Sequence, residues 1–214
     1  MQPMLAFHIP KVLFRGKRSR SGFATHISAA RRIPWTHFFP KAANFIVTAS
    51  LSFTNVTALA GCEVPRMART TGVDGSTWSQ YMREKDGVGE AYGWFTFPKA
   101  LYPDLSEFME VVPDIGSYVC IVNDILSFYK EEKDGEKHNY MHNRSTYERT
   151  DVYTTLKAAI KEAVGIQHRM QRILRGKESH MRACNDHCMG LSELGLGEKY
   201  TDQFGNLTSL RQDI

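Results

Sequence analysis

The first 62 residues of this 214-residue chain contain no aspartate or glutamate, although they carry eight lysines and arginines. Basic segments of this kind are found in nucleic-acid-binding arms, membrane-surface segments and organelle transit peptides. The Arg- and Ser-rich stretch at residues 15–32 is typical of transit peptides. No nucleic-acid-binding motif accompanies the basic residues, so we predict no nucleic-acid partner. We interpret residues 1–38 as a basic leader, irregular or disordered and unrelated to the domain at 39–214.

Cysteine is also scarce, and this scarcity excludes a disulfide scaffold. The sequence has four cysteines, Cys62, Cys120, Cys184 and Cys188. Free thiols and the lack of an apparent secretory signal favour a cytoplasmic protein, with an organelle destination left open by the leader. The phosphate-binding pattern G-x-x-x-x-G-K-[ST] is absent, and "GVGEAYG" follows no predicted strand. These observations argue against a nucleotide-binding protein.

Apolar residues recur with helical spacing in several segments, and none alternates with the period of a strand, so we predict an all-α fold. The uncharged residues 42–62 have the length of a membrane span, but seven polar side chains among them favour a buried helix of a soluble protein. We predict helices over residues 40–62, from residue 77 to a stop at Gly87, over 105–133 with a bend near Pro113 and Gly116, over 151–176 and over 178–194. Between Gly87 and residue 101 we predict a Gly-rich break followed by a short helix.

The run "NDILSFYKEE" places an amide, a hydroxyl and a carboxylate one helical turn apart. On a helix Asn123, Ser127 and Glu131 fall within about 80° of one another, with Lys130 at the edge of the same stripe. Three oxygen donors on one face suit Mg²⁺, which keeps its remaining sites for water or for substrate phosphates. The alternative is that the stripe is the solvent face of an amphipathic helix.

The identities of these residues resemble the second metal-binding motif of class I terpene synthases, N-D-x-x-S-x-x-x-E, in the form found in trichodiene synthase and its fungal relatives. "GEKHNYMHNR" and "FPKAANFIVTASLSFTN" are also similar to this group. The resemblance covers residues 39 to about 200. It implies a helical bundle of the class I terpenoid synthase type, incomplete at its N-terminus. It also implies a Mg²⁺ site formed by Asn123, Ser127 and Glu131.

The same resemblance implies a carbon–oxygen lyase that ionises farnesyl diphosphate and cyclises the carbocation to a sesquiterpene. Lys130 and Arg83 would bind the diphosphate, as would Lys199 and Tyr200, although a lysine replaces the family's arginine at 199. The resemblance also suggests a homodimer. Aromatic side chains are expected to line the cavity; the candidates are Phe45, Phe53, Tyr92, Trp94 and Tyr118.

One element of the family pattern is missing, the aspartate-rich D-D-x-x-D/E motif that binds the other metal ions. The first acidic residue is Glu63, and no such motif occurs in the sequence. We therefore expect little or no cyclase activity from the chain as written. Two alternatives remain: an inactive helical fragment that binds a partner, and an organelle-targeted or nucleic-acid-associated helical protein.

The segment "HMRACNDHC" contains four possible zinc ligands, His180, Cys184, His187 and Cys188. A structural zinc site needs four converging donors. The first three share a helix face, but Cys188 must also turn toward them. We favour a packed helix rich in cysteine and histidine over a zinc site.

Overall fold

The computed structural model describes residues 38–62, 73–86 and 88–195. Within these ranges the regular structure is entirely helical, which confirms the predicted all-α fold. The α-helices are α1 (Pro40–Cys62), α2 (Thr77–Lys85), α3 (Val88–Phe95), α4 (Val112–Lys133), α5 (Tyr140–Glu148), α6 (Val152–Ile173) and α7 (Glu178–Gly195). Short 3-10 turns occur at Val73–Gly75, Leu105–Glu107 and Met109–Val111.

Helix α4 is the centre of the fold, because α3, α6 and α7 all pack against it. Its apolar side chains Ile115, Val119 and Ile121 are buried in one continuous core with side chains from those three helices. The stripe that contains Asn123 lies on this central helix. The neighbours of α4 therefore fix the position of the predicted metal ligands.

The predicted start of the long helix is wrong. Residues 105–111 form two 3-10 turns, and the α-helix begins only at Val112. Pro113 lies in the first helical turn, where its missing N–H is not needed and its fixed φ suits a helix start. Pro113 therefore marks the helix N-terminus and not an internal bend.

Helix α5 is not among the predicted elements. Its sequence, YMHNRSTYE, has little apolar periodicity, yet the helix buries Met141, Asn143 and Tyr147. Asn139 caps it by accepting a hydrogen bond from the backbone N–H of His142. Buried polar side chains replace the apolar stripe by which a helix is normally recognised.

Helix α6 has the predicted amphipathic pattern. Leu156, Ala159, Ala163, Ile166 and Met170 are buried. Other residues of the predicted stripe are partly buried against the same core. The carboxylate of Asp151 caps the helix by accepting hydrogen bonds from the backbone N–H groups of Tyr153 and Thr154.

Replacing Asp151 with alanine should lower the melting temperature at pH 7, because two helix N–H groups lose their acceptor. Hydrogen bonds from Thr154 hold the pKa of Asp151 below its ordinary value. The stabilisation is therefore complete above the ordinary aspartate pKa of about 3.9 and is lost as the pH falls through the lower pKa of the folded protein.

The matched control is Asp151→Asn, which keeps an acceptor at the cap but does not titrate in this range. Thermal melts should show the wild type converging with the alanine variant at low pH. The asparagine variant should keep a constant advantage over alanine. A wild-type advantage that does not change with pH would contradict the assignment.

Helix α1 is buried only along part of its surface. Ala42, Ile46 and Ala49 enter the core, whereas Phe45 and Leu51 are each about half exposed. The expectation of a buried helix is thus correct for one face of α1. By length and composition alone, residues 40–60 and 109–133 could each cross a membrane, a criterion that core helices of soluble proteins also satisfy.

Candidate functional site

The predicted metal ligands lie together on α4. Asn123, Ser127 and Glu131 are all half-buried. Within the described ranges, the side chains of Asn123 and Glu131 form no hydrogen bond or ion pair, and the Ser127 hydroxyl makes only a weak 3.5 Å contact to the carbonyl of Asp124. These three oxygen-bearing groups are therefore available to a ligand. Lys130, next to them, is exposed.

Arg83 reaches from α2 to the same part of α4. Its Nε lies 2.8 Å from Oδ2 of Asp124, and its Nη2 donates a 2.7 Å hydrogen bond to the carbonyl of Cys120. Nη1 pairs with Asp86 on its own chain segment. The structure thus brings Arg83 to α4 at Cys120 and Asp124, and Asp124 directly follows Asn123 in the sequence. The hydrogen bonds to Asp86 and Cys120 use two of the five guanidinium N–H donors, and the contact of Nε with Asp124 is an ion pair without hydrogen-bond geometry.

The Arg83–Asp124 pair is largely buried, with side-chain exposures of 19% and 13%. Burial raises the pKa of Asp124, Arg83 opposes that rise, and the carboxylates of Asp86 and Glu131 add to it. For Arg83, burial lowers the pKa, but the negative groups around it, Asp124 first, raise the pKa more. The guanidinium therefore stays charged, and it partly balances a site rich in carboxylates.

Helices α3 and α4 approach closely at a pair of glycines. A Cβ atom at Gly89 would lie 2.6 Å from Sγ of Cys120, and one at Gly116 would lie 2.9 Å from the carbonyl oxygen of Gly89. Real Cβ atoms do not tolerate such distances, so both positions require glycine for packing. Gly89 of the segment "GVGEAYG" therefore has a structural explanation, and the close approach of the two helices fixes α4 next to α3.

The C-terminal end of α4 is held by a polar cluster that the sequence did not reveal. Oε1 of Glu132 contacts Nε2 of His142, and it accepts a 2.9 Å hydrogen bond from Nζ of Lys137. Hydrogen bonds from Lys137 and His142 hold the pKa of Glu132 below its ordinary value. The cluster ties the turn between α4 and α5 to the helix. Adjacent glutamates thus differ in their surroundings: Glu132 is held by Lys137 and His142, whereas the side chain of Glu131 forms no such contact with the part of the chain that the structure describes.

A cavity of about 210 Å³ lies between α2, α5 and α6. Near it Arg144 bridges Glu148 and Glu162, with N–O distances of 2.7 Å in both pairs. Tyr140 also borders this cavity, and it is close enough to Asp124 for that carboxylate to raise its pKa, although burial is the largest cause of the rise. The cavity is lined by Ser76, Ser79, Gln80, Tyr140, Arg144, Tyr147, Glu148 and Glu162.

The five aromatic candidates for a cavity lining are only partly grouped. Phe45 stacks on Trp94 with ring centroids 5.3 Å apart. Tyr92, which shares α3 with Trp94, is buried. Phe53 and Tyr118 are half-buried. The cavity beside Arg144 is lined by none of the five. Lys199 and Tyr200 lie outside the described residues.

The four side chains of the zinc alternative point to different neighbours. His180 packs among aromatic rings, 4.8 Å from the ring of Tyr102, and His187 lies 5.7 Å from the ring of Tyr92. Burial lowers the pKa of His187 to about 4, so this imidazole is neutral. In the part of the chain that the structure describes, no three His, Cys, Asp or Glu side chains are arranged to hold a metal ion. The preferred interpretation, a packed helix, agrees with this arrangement.

Comparison with known proteins places these residues in a protein family. Residues 11–190 match the family model described as trichodiene synthase (TRI5). The chain is 32% identical to longiborneol synthase CLM1 of Gibberella zeae over 164 residues, 76% of the chain and 48% of the relative. It is 35% identical to terpene synthase BipA of Cochliobolus sativus over 139 residues, 64% and 42% of the two proteins.

A shorter match has a higher identity. The chain is 48% identical over 69 residues to the (E)-beta farnesene synthase of Metarhizium brunneum, which is 30% of the chain and 21% of that protein. The chain thus spans about half the length, or less, of the curated relatives it matches. BipA is named a terpene synthase, and the other two relatives are named as synthases of longiborneol and of (E)-beta farnesene.

Proposed function

Because the chain belongs to the trichodiene synthase family, we propose that its helices form the part of a sesquiterpene cyclase that binds Mg²⁺ and the diphosphate of farnesyl diphosphate. Asn123, Ser127 and Glu131 would hold the metal ion, and Arg83 and Lys130 would contact the diphosphate. Lys199 and Tyr200 are proposed as further diphosphate contacts, on the sequence pattern alone. The overall reaction would be ionisation of the allylic diphosphate and cyclisation of the carbocation.

The observation that carries this proposal is the half-buried stripe on α4, in which the side chains of Asn123 and Glu131 form no hydrogen bond or ion pair with the described residues and Ser127 makes only a weak one. A solvent-exposed helix face would leave these side chains in water, whereas they are partly enclosed by neighbouring helices. The donor set contains an amide, a hydroxyl and one carboxylate, all hard oxygen ligands of the kind Mg²⁺ prefers. The residues therefore fit the ion, and a single carboxylate favours metal binding together with an anionic substrate.

The residues around the stripe have separate tasks in this proposal. Bound Mg²⁺ would neutralise negative charge on the leaving diphosphate. Arg83 has N–H donors left for an anion, and its contacts with Asp124 and Cys120 orient the guanidinium against α4. Lys130 contributes an exposed, mobile positive charge at the edge of the stripe.

The second candidate function is a helical module that associates with another chain, such as a second cyclase subunit. The observation that favours it is the apolar surface of α1, where Phe45, Leu51 and Leu59 are exposed. Exposed apolar patches of this kind mark interaction surfaces when they are contiguous. A module of this kind would need no metal ion.

Calorimetry with a non-hydrolysable farnesyl diphosphate analogue tests the proposal. We expect binding by the 214-residue chain that depends on Mg²⁺. Glu131→Gln should weaken it at least about 100-fold, since even loss of an outer-sphere partner costs 10- to 100-fold in metal affinity. Glu132→Gln is the matched control, because it removes the same charge from the next residue but should leave binding within a few-fold.

Equal weakening by the two substitutions would contradict the assignment of Glu131 as a ligand. Binding that does not change when Mg²⁺ is removed would contradict the metal site. No binding by either the wild type or the variants would favour the helical module. Sedimentation analysis of the same samples would then show whether the chain self-associates.

A further inference from the structure

The cavity of about 210 Å³ between α2, α5 and α6 is separate from the proposed metal and diphosphate residues. Among the described residues that line it, none belongs to the stripe on α4, and every side chain ends in a polar group. Pockets for drug-sized ligands measure about 300–1,000 Å³, so this cavity suits a smaller molecule. The hydrogen-bonding groups of its wall indicate the chemical class of that molecule.

Tyr147 contributes a hydroxyl group without a partner to the cavity wall. The residue is 2% exposed, and its side chain forms no hydrogen bond within the described ranges. Its ring lies against Gly75, where an added Cβ atom would be 2.6 Å from Cε1, so the ring takes its place only because residue 75 has no side chain. A hydroxyl that is buried without a partner lowers stability unless water or a ligand satisfies it. The Tyr147 hydroxyl is therefore available to a molecule in the cavity.

Other lining groups also have unused hydrogen-bonding capacity. Ser76 is the N-cap residue of α2, yet its hydroxyl makes no capping hydrogen bond. Arg144 donates to Glu148 through Nε and to Glu162 through Nη1, whereas Nη2 has no acceptor in the part of the chain that the structure describes. Each of the two carboxylates uses one oxygen for Arg144, so its other oxygen can still accept a hydrogen bond. The wall therefore offers donors and acceptors side by side.

We propose that this cavity binds a neutral polyhydroxylated molecule, a monosaccharide or a cyclic polyol. Each hydroxyl group of such a molecule both donates and accepts hydrogen bonds, so it can pair with the Tyr147 hydroxyl and with the charged groups around Arg144. The volume corresponds to roughly seven water molecules at about 30 Å³ each, which is enough for one ring of this kind.

Charged and apolar ligands fit the wall less well. Two carboxylates, Glu148 and Glu162, face one guanidinium, so the wall repels an anion such as phosphate. An ammonium ligand brings only donors and would leave Nη2 of Arg144 without an acceptor. An apolar ligand would cover the Tyr147 hydroxyl without forming a hydrogen bond to it. A neutral molecule with several hydroxyl groups avoids all three costs.

Saturation-transfer NMR with myo-inositol and D-glucose as probes tests the proposal on the 214-residue chain. We expect saturable binding of at least one probe, with a Kd on the order of 1 mM, as is usual for ligands of this size. Inorganic phosphate and putrescine serve as the charged probes and should not displace it. Mg²⁺ and diphosphate are left out of the samples, so the result is independent of the proposed cyclase site.

Tyr147→Phe separates binding from packing, because it removes the hydroxyl and keeps the ring. Since this hydroxyl has no partner in the described ranges, the melting temperature without probe should not fall. Affinity for the probe should fall about threefold to tenfold, the equivalent of one neutral hydrogen bond. Ser76→Ala should also weaken binding, because Ser76 has no capping hydrogen bond to lose. Tyr153→Phe is the matched control, since Tyr153 is exposed and does not line the cavity.

Three results would overturn the proposal. The first is that neither probe shows saturable binding. The second is that Tyr147→Phe leaves the affinity for the probe unchanged or, if this variant is less stable than the wild type, that Ser76→Ala leaves the affinity unchanged. The third is that phosphate or putrescine displaces the bound probe, which would assign the cavity to a charged ligand.

Discussion

Replacing Arg83 with methionine is expected to lower the free energy of unfolding by about 3–5 kcal/mol, as is typical when one partner of a buried ion pair is removed. Methionine fills much of the space but leaves the carboxylate of Asp124 without its ion-pair partner and the carbonyl of Cys120 without its hydrogen-bond donor. Such a loss is a large share of the roughly 5–15 kcal/mol that stabilises a typical domain. Urea unfolding followed by circular dichroism measures it directly.

The double variant Arg83→Met/Asp124→Leu distinguishes a lost attraction from an unpaired charge. Replacing both charged groups with apolar ones leaves no uncompensated ion. The double variant should therefore lose less stability than the sum of the losses measured for the two single variants. A coupling energy near zero in this double-mutant cycle would contradict the described pair. The cycle therefore tests the contact itself and not only the importance of Arg83.

Arg169 provides a matched control for the environment of the pair. It forms the same kind of contact with Asp114, at 2.8 Å, but its side chain is 49% exposed. Exposed ion pairs contribute about 0–1 kcal/mol because water and salt screen them. Arg169→Met should therefore cost far less than Arg83→Met. Equal effects would mean that burial does not decide the energetics at Arg83.

The resemblance at the sequence level identified Arg83 and the stripe on α4, but it did not identify Asp124 as the partner of Arg83. A local motif shows which residues share a helix face, and that information was sufficient for Asn123, Ser127 and Glu131. Which residue pairs with Arg83 from 41 positions away depends on how the helices pack. Gly89 and Gly116 bring α3, the helix that follows Arg83 in the chain, close to α4, and this contact is not visible from spacing alone.

Helices were predictable where burial and periodicity agree. The apolar stripe of α6, residues 152–173, becomes buried or partly buried as expected. The start of α4 was not predictable from apolar content, because residues 105–111, which precede it, also contain apolar side chains but form 3-10 turns. Helix α5 was missed because the side chains it buries include Asn143 and Ser145. Tertiary contacts outweigh local pattern at these places.

Phe108 gives the second large effect. Its side chain is 1% exposed, and its ring stacks on that of Phe97 at a centroid distance of 4.5 Å. Phe108→Ala should cost about 3–5 kcal/mol, because the loss of buried apolar area is compounded by the cavity that remains. The adjacent Met109→Ala is the control, since Met109 is 53% exposed and surface substitutions change stability by about 0.5 kcal/mol or less.

The position of Phe108 gives this prediction a consequence for the proposed site. Phe108 also contacts Phe39, before α1, and His180 on α7, so it joins both ends of the described structure to the segment that leads into α4. A cavity at this point should loosen the start of α4, whereas the Arg83–Asp124 contact lies about three turns further along the same helix. Hydrogen exchange should therefore increase first at the N-terminal turns of α4 in Phe108→Ala. Equal increases along the whole helix would show that α4 opens as one unit.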